Sequence, residues 1–446
     1  MKFTLRQTKE LLTSQSGLAL VGALIAKTSY PTQLNSLAMP SHRGNNLQNS
    51  EIAISMLGLL CQGKCDFDNI EPYRKDTYFP LALGIDKVPS ASRLRQRLGG
   101  ADAQWDEAAM SASMTLLKEH AIQSPCYKSY IPIDVDVSVF DNSGTKKEGV
   151  SRTYKHVDGY SPIFAYLGAE GYLLNLELRE GKTHCQDGTV SFLEKTFSLL
   201  PQLSHKSYLL RMDAGNDCID NIRQCKAFNK THANRIRIDY IIKRNLRKES
   251  KEQWLKLAQQ QGQVTIPRPG KNVYIGTTYR EMQGFNEPLQ VVFKVSERTI
   301  SAKGQHLLVP EIDVETYWNS LNISAQKVIE LYHDHGTSEQ FHSELKTDIG
   351  LERMPSGTFQ TNCRLLFLAL LAFNLLRIMG QESLNYERAP IANRHRIRRR
   401  RLRSVIQDLI YLAVRLIKHA REWTLGFGKH APFYPTFSYL YLKWSG

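Results

Sequence analysis

The seven cysteines, Cys61, Cys65, Cys126, Cys185, Cys218, Cys225 and Cys363, form no CxxC pair and no zinc-ribbon spacing. Cys61 and Cys65 lie four apart, but no second pair answers them. Zinc-ribbon and thiol-redox motifs are therefore excluded, and free thiols in a reducing cytoplasm are expected. The opening MKFTLRQTKELL has no continuous apolar core, so no secretory signal is expected. Long apolar runs are also lacking. The longest, LLFLALLAFNLL (Leu365 to Leu376), is short for a bilayer, contains Asn374 and lies between Arg364 and Arg377. It reads as a buried core helix, with no membrane partner. There is no internal repeat, and no low-complexity tract beyond one arginine run. What the sequence does have is positive charge, a net +15, with 42% hydrophobic residues to build cores. That balance points to a polyanionic partner, most often nucleic acid. A length of 446 residues predicts roughly two to four domains.

Residues 1–120 read as helical. SGLALVGALIAK and NSEIAISMLGLLCQGK carry helical periodicity, with the polar linker MPSHRGNNLQNS between them. In VPSASRLRQRLGG, Ser90 or Ser92 caps a short basic helix carrying Arg93, Arg95 and Arg97, stopped by Gly99-Gly100. Such a helix suits a DNA groove as well as a solvated surface. Near residue 128 the pattern changes. In YIPIDVDVSVF, Ile131, Ile133, Val135, Val137 and Val139 face one way, while Asp134, Asp136 and Ser138 face the other. The two carboxylates are about 6.6 Å apart along this strand. YSPIFAYLG and YLLNLELREGK predict an antiparallel meander, because their connections are short. GTVSFLEKTFSLLPQL reads as a helix. KSYLLRMDAGNDCIDNIRQCKAF then reads as a buried strand to Met212, with Asp213 at its end, and a helix from Asn216 or Asp217. Ligands of open α/β sheets bind beyond such strand ends. Residues 236–325 read as a β-rich insertion. The C-terminal NRHRIRRRRLR holds seven arginines between Arg394 and Arg403. It leads into SVIQDLIYLAVRLIKHAREW, which reads as a basic amphipathic helix.

The densest cluster of chemistry is LYHDHGTSEQFHSELK, Leu331 to Lys346. Glu330/His333 and Glu339/His342 are two ExxH pairs, but a di-iron bundle needs them on separate helices, and Gly336 divides these within one segment. Thr337 and Gln340 fit a capping box that starts a helix. One face of that helix carries Phe341 and Leu345, the other Glu339, His342 and Lys346. Alone this is an ordinary surface helix. Joined with Asp134 or Asp136 on a strand and Asp213 at a strand end, Glu339 completes a set of carboxylates that can converge on two Mg²⁺ ions. Such a pair of ions serves in-line phosphoryl displacement.

The segment resembles the signature of the DDE transposases of bacterial insertion sequences, in the branch marked by Tyr, Arg, Glu and Lys. Its spacing falls on Tyr332, His335, Glu339 and Lys346. DVDVSV resembles the family's first-aspartate strand, LLRMDAGND its second, and REGKTH lies familiarly between them. The resemblance covers essentially the whole chain. It implies an α/β fold: an RNase H-like mixed-sheet core interrupted by the β-rich insertion. The expected layout is a helical DNA-binding region (1–120), core (121–235), insertion (236–325), core (326–385) and a basic helical C-terminal region (386–446). It implies Asp136, Asp213 and Glu339 as catalytic metal ligands, with Mg²⁺ as cofactor and Mn²⁺ as substitute. Asp134 stays open as a ligand or a supporting group. Tyr332 and Lys346 would contact transposon-end DNA. His335 stands where the family usually has arginine, and leaves open whether cutting passes through a DNA hairpin. Arg93 and Arg97 are expected to read bases. Arg398, Arg399, Arg400 and Arg401 are expected to contact phosphates. The implied activity is metal-dependent cleavage at element ends and strand transfer into target DNA, by a homodimer assembled on double-stranded DNA at the nucleoid in the cytoplasm. The alternatives are a metal-dependent nuclease and a catalytically inactive DNA-binding protein.

Overall fold

The structure is a computed structural model that describes residues 2–38, 47–233, 235–301 and 303–446. Most of the expected polar linker, residues 39–46, lies outside the described residues. Nine strands form one sheet: β1 (Tyr130–Val137), β2 (Ile163–Leu167), β3 (Tyr172–Glu177), β4 (Ser207–Met212), β5 (Arg237–Lys243), β6 (Gln263–Arg268), β7 (Lys271–Arg280), β8 (Leu289–Ile300) and β9 (His306–Asn319). Their order is β6-β7-β8-β9-β5-β4-β1-β2-β3. The expected meander is present, with β1, β2 and β3 antiparallel. β1, β4 and β5 run parallel. This five-strand half carries both aspartate strands, β1 and β4. Its last strand, β5, falls inside the stretch expected to be insertion. The remaining strands extend the same sheet through the β9–β5 pairing. They are joined by one helix, Lys251–Gln261, that strand-type patterning did not reveal.

The 27-residue helix Phe359–Asn385 crosses the core. By length and composition it could cross a membrane, with a mean hydropathy of 1.8 over its most apolar window, but 89% of that window is buried within the protein. Two of its buried polar residues are used internally. Asn374 accepts from the Leu173 N–H and donates to the Leu173 carbonyl, both at 2.8 Å, and so closes the free edge of β3. Arg377, fully buried, donates to Glu344 at 2.7 Å. The N-terminal region is helical as expected, with one exception. Leu11–Thr13 is a strand that pairs with Val414–His419, which in turn pairs with Glu422–Phe427.

That hairpin corrects the C-terminal expectation. Residues 404–423 do not form one amphipathic helix. Helical turns end at Ile410, and buried Val414 and Leu416 then alternate with exposed Arg415 and Ile417. Ala420, at φ +52°, helps to close a two-residue turn. A second correction concerns Thr337. Helical turns run almost unbroken from Ala325 to Asp348. The Thr337 hydroxyl donates back to the Asp334 carbonyl at 2.9 Å, so no capping box forms.

Candidate active site

The parallel register of β1 and β4 sets the site. Asp134 lies opposite Arg211, and Val135 opposite Met212. One step beyond the last pair, Asp136 and Asp213 come side by side on strands about 4.8 Å apart. Side chains two residues apart share a face, so the Asp134–Arg211 pair and the Asp136–Asp213 pair project the same way. The first is an ion pair and the second a pair of like charges.

Asp134 is spoken for. Arg211 donates to both its oxygens, Nε to Oδ1 at 2.6 Å and Nη2 to Oδ2 at 2.7 Å, and His335 Nδ1 lies 2.9 Å from Oδ1. All three side chains are buried. Of the two roles left open for Asp134, this arrangement favours the supporting group over the metal ligand, since both carboxylate oxygens already accept hydrogen bonds within the protein. It also encloses His335, expected at the DNA, between helix and strand, where it is buried against Asp134.

Asp136 and Asp213 instead open onto one cavity of about 500 Å³. Asp136 Oδ1 accepts from the Val137 N–H at 2.8 Å, and Oδ2 lies 3.2 Å from His342 Nε2. Burial alone would raise its carboxyl, but the His342 contact, the charge of His335 and the Val137 bond together hold it below the usual range. Asp213 is shifted the other way. Burial, and then the charge of Asp136, raise it, against a 2.9 Å hydrogen bond from Asn216. Two carboxylates with opposed shifts in one cleft suit a cation that neutralises both. These oxygen donors fit Mg²⁺ or Mn²⁺, with the remaining coordination positions left to water or phosphate.

Glu339 is not brought to them. It is exposed, accepts no hydrogen bond or ion pair among the described residues, and does not line the cavity. No group of three or more His, Cys, Asp or Glu side chains is assembled for a metal among the described residues. Glu339 nonetheless lies on the right helix. His335 and His342, seven residues apart, touch Asp134 and Asp136 in turn. On an α-helix Glu339 projects roughly 50° from their common line, and buried Ser338 about as far on the other side.

His342 itself is a correction. It was expected on the solvated face, yet it is buried, with Nδ1 3.0 Å from the Tyr166 hydroxyl. The chain Tyr166–His342–Asp136 aims one carboxylate oxygen. His342→Ala is expected to cut metal affinity about 10- to 100-fold, the usual cost of losing a group that orients a ligand. His342→Gln should restore part of it. Mn²⁺ titration of the purified proteins checks this, and equal affinities in all three would refute the orienting role.

The other predicted residues divide. Tyr332 packs its ring 4.7 Å from Tyr317, and its hydroxyl is raised by burial and then by the charges of Asp213 and Asp136, so it stands near both. Lys346 lies over Phe140 and is lowered chiefly by burial. Ser90, not Ser92, caps the basic helix. Arg93 is half-buried and donates to Gln96 at 2.8 Å. Arg97 is buried and donates to Asn49 at 2.8 Å, so it is a correction: it holds two helices together and does not face a groove. Arg400 is also buried, against Asp408 and Ser383, which removes it from the phosphate contacts. Arg401 pairs with Asp348 through both Nε and Nη2. Arg399 is mostly covered, and Arg398 is exposed.

Several residues of the cavity were not singled out from the sequence. Arg152, Tyr154, Lys182, His184 and Cys185 line it with the two aspartates. The Tyr154 hydroxyl donates to the Val137 carbonyl at 3.3 Å and is pushed up to about 12 by burial, then by Asp136 and Asp213. Lys182 and His184 belong to REGKTH, the segment noticed between the aspartate strands. Arg152 and Tyr154 had no comparable signal.

Residues 2–444 match the family described as transposase DDE domain group 1. No curated protein matches the chain. Among solved structures, the chain is similar to one described as the cryo-EM structure of the piggyBac transposase synaptic complex with hairpin DNA. The TM-score is 0.42 and the identity 10%, over 90% of this chain and 83% of that one.

Proposed function

From the premise that the chain belongs to the DDE transposase family, we propose that it cuts DNA at the ends of an insertion sequence and joins them to target DNA. The observation that carries this reading is the pairing of Asp136 with Asp213 in one cavity, two carboxylates whose repulsion a divalent cation would relieve. Asp136 and Asp213 would hold Mg²⁺, with Mn²⁺ as substitute, and Glu339 would add the third carboxylate. When bound, such ions supply activation of water and stabilisation of the leaving oxygen. The chain's own residues do the rest. His342 fixes the Asp136 carboxylate, and Asn216 fixes Asp213. Arg152 and Lys182 at the cavity place positive charge where a phosphodiester would lie. Tyr332 and Lys346, on either side of Glu339 along its helix, are in reach of the DNA end. The reaction needs no covalent link to the protein, so no serine or tyrosine nucleophile is required. Cutting two ends together calls for two protomers on one DNA assembly.

The test uses purified protein, Mg²⁺ and labelled DNA carrying the natural flanks of the gene. Glu339→Gln should lower cleavage about 100-fold or more. Its folding stability should change by no more than about 0.5 kcal/mol, because the side chain is exposed and unpartnered among the described residues. Ends joined to a target plasmid establish strand transfer. Hydrolysed ends without joining would establish a nuclease instead, and equal cutting by the variant would remove Glu339 from the site.

A further inference from the structure

The helix that bears Glu339 has a second cavity, of about 300 Å³, on the side facing the arginine run. It is lined by Gln340, Ser343, Glu344, Arg398, Arg399 and Arg401. The charges around it do not balance. Glu344 accepts from Arg377 and from the Leu402 N–H, at 2.7 and 3.2 Å. Asp348 is taken by both donors of Arg401 and by the Arg403 N–H. Asp408 pairs with Arg400. The three carboxylates are thus shared among five arginines, Arg377 and Arg399 on Glu344, Arg401 and Arg403 on Asp348 and Arg400 on Asp408, and Arg398 is left over. The Arg399 Nη2 donates to the neutral Gln340 amide oxygen at 2.5 Å, and its approach to Glu344 is only 3.6 Å. Its guanidinium is pinned 4.4 Å over the Phe341 ring. Arg398 is exposed, and its side chain has no partner among the described residues.

A cavity with one unpaired guanidinium group, Arg398, and a second, Arg399, immobilised and sharing Glu344 with Arg377, flanked by a serine hydroxyl and an amide, fits a tetrahedral oxyanion. We infer that this cavity takes a backbone phosphate of the DNA. The inference rests on the transposase reading and deepens it. Gln340 follows Glu339 directly, so a phosphate seated here ties the DNA backbone to the helix of the third carboxylate. It also narrows the arginine run to Arg398 and Arg399, since Arg400 and Arg401 are engaged within the protein.

The test is Arg398→Ala, which removes an exposed side chain and should leave folding intact. Duplex binding is measured against salt concentration, for element-end and unrelated DNA, beside the wild type and Arg421→Ala as an equal loss of charge elsewhere. Removing one arginine–phosphate pairing flattens the slope of log affinity against log salt by about 0.9. The expected result is a slope flatter by about one for Arg398→Ala on both DNAs, and an unchanged slope for Arg421→Ala. An unchanged slope for Arg398→Ala, with a wild type that still cuts, would overturn the pocket and leave the transposase reading standing. A loss confined to element-end DNA would overturn it in favour of base reading. If inorganic phosphate raised the melting temperature of the wild type but not of Arg398→Ala, with equal DNA slopes, the site would be one for free anions and the inference would fail. A wild type that binds no DNA would overturn both readings.

Discussion

Asp213→Asn is expected to abolish DNA cleavage, by about 10³-fold or more, while making the metal-free protein more stable. The first half follows from the loss of a ligand to the catalytic cation, an interaction worth several kcal/mol in phosphoryl transfer. The second follows from the raised Asp213 carboxyl, for which burial and then Asp136 are responsible. In the folded chain this group keeps its proton to higher pH than in the unfolded chain. Its cost is absent below the ordinary carboxylate range and grows as pH rises through the window up to the raised value. Asparagine carries no charge and escapes that cost, so at neutral pH the variant should be the more stable protein. The sign reverses at its neighbour. Asp136 is held below the usual range, so it contributes stability above that range and loses it as pH falls. Asp136→Asn should therefore lose cleavage and a little stability together. Urea melts of both variants from acidic to neutral pH without metal, beside cleavage assays with Mg²⁺, check these signs. A metal-free Asp213→Asn protein less stable than the wild type at neutral pH would refute the repulsion.

The second large effect separates Asp134 from Asp136, which the sequence places on one face of one strand. Asp134→Ala leaves the Arg211 guanidinium buried without its carboxylate, and should destabilise the fold by about 3–5 kcal/mol. Asp136→Ala, at the open cavity, should cost far less stability yet eliminate cutting. Replacing Asp134 and Arg211 together by Leu and Met should recover much of the loss, because a buried pair exchanged for apolar groups is often close to neutral. Urea unfolding midpoints for the three proteins decide the matter. Equal midpoints for Asp134→Ala and the wild type would mean that the buried pair between β1 and β4 does not stabilise the fold.

Much of this was legible along the chain because the signals are local. Alternation marked β1, a buried run ending in Asp213 marked β4, and apolar composition marked the helix Phe359–Asn385 as core. The spacing from Tyr332 to Lys346 carried the family resemblance, and the family match bears it out. By itself the sequence determined which strands carry the aspartates, which helix carries Glu339, and that the protein is built to meet a polyanion. Tertiary structure decided the rest, because periodicity says which face a residue takes and not what stands opposite. Only the β1–β4 register put Arg211 beside Asp134 and Asp213 beside Asp136, turning two equivalent carboxylates into a structural pair and a candidate metal site. Only packing turned His335 and His342 inward, to be satisfied by aspartates some two hundred residues away in sequence. Only the tertiary structure shows that residues 414–427 form a hairpin and not a helix: the two strands pair with each other, and the free edge of Val414–Leu416 finds Leu11–Thr13 from the other end of the chain.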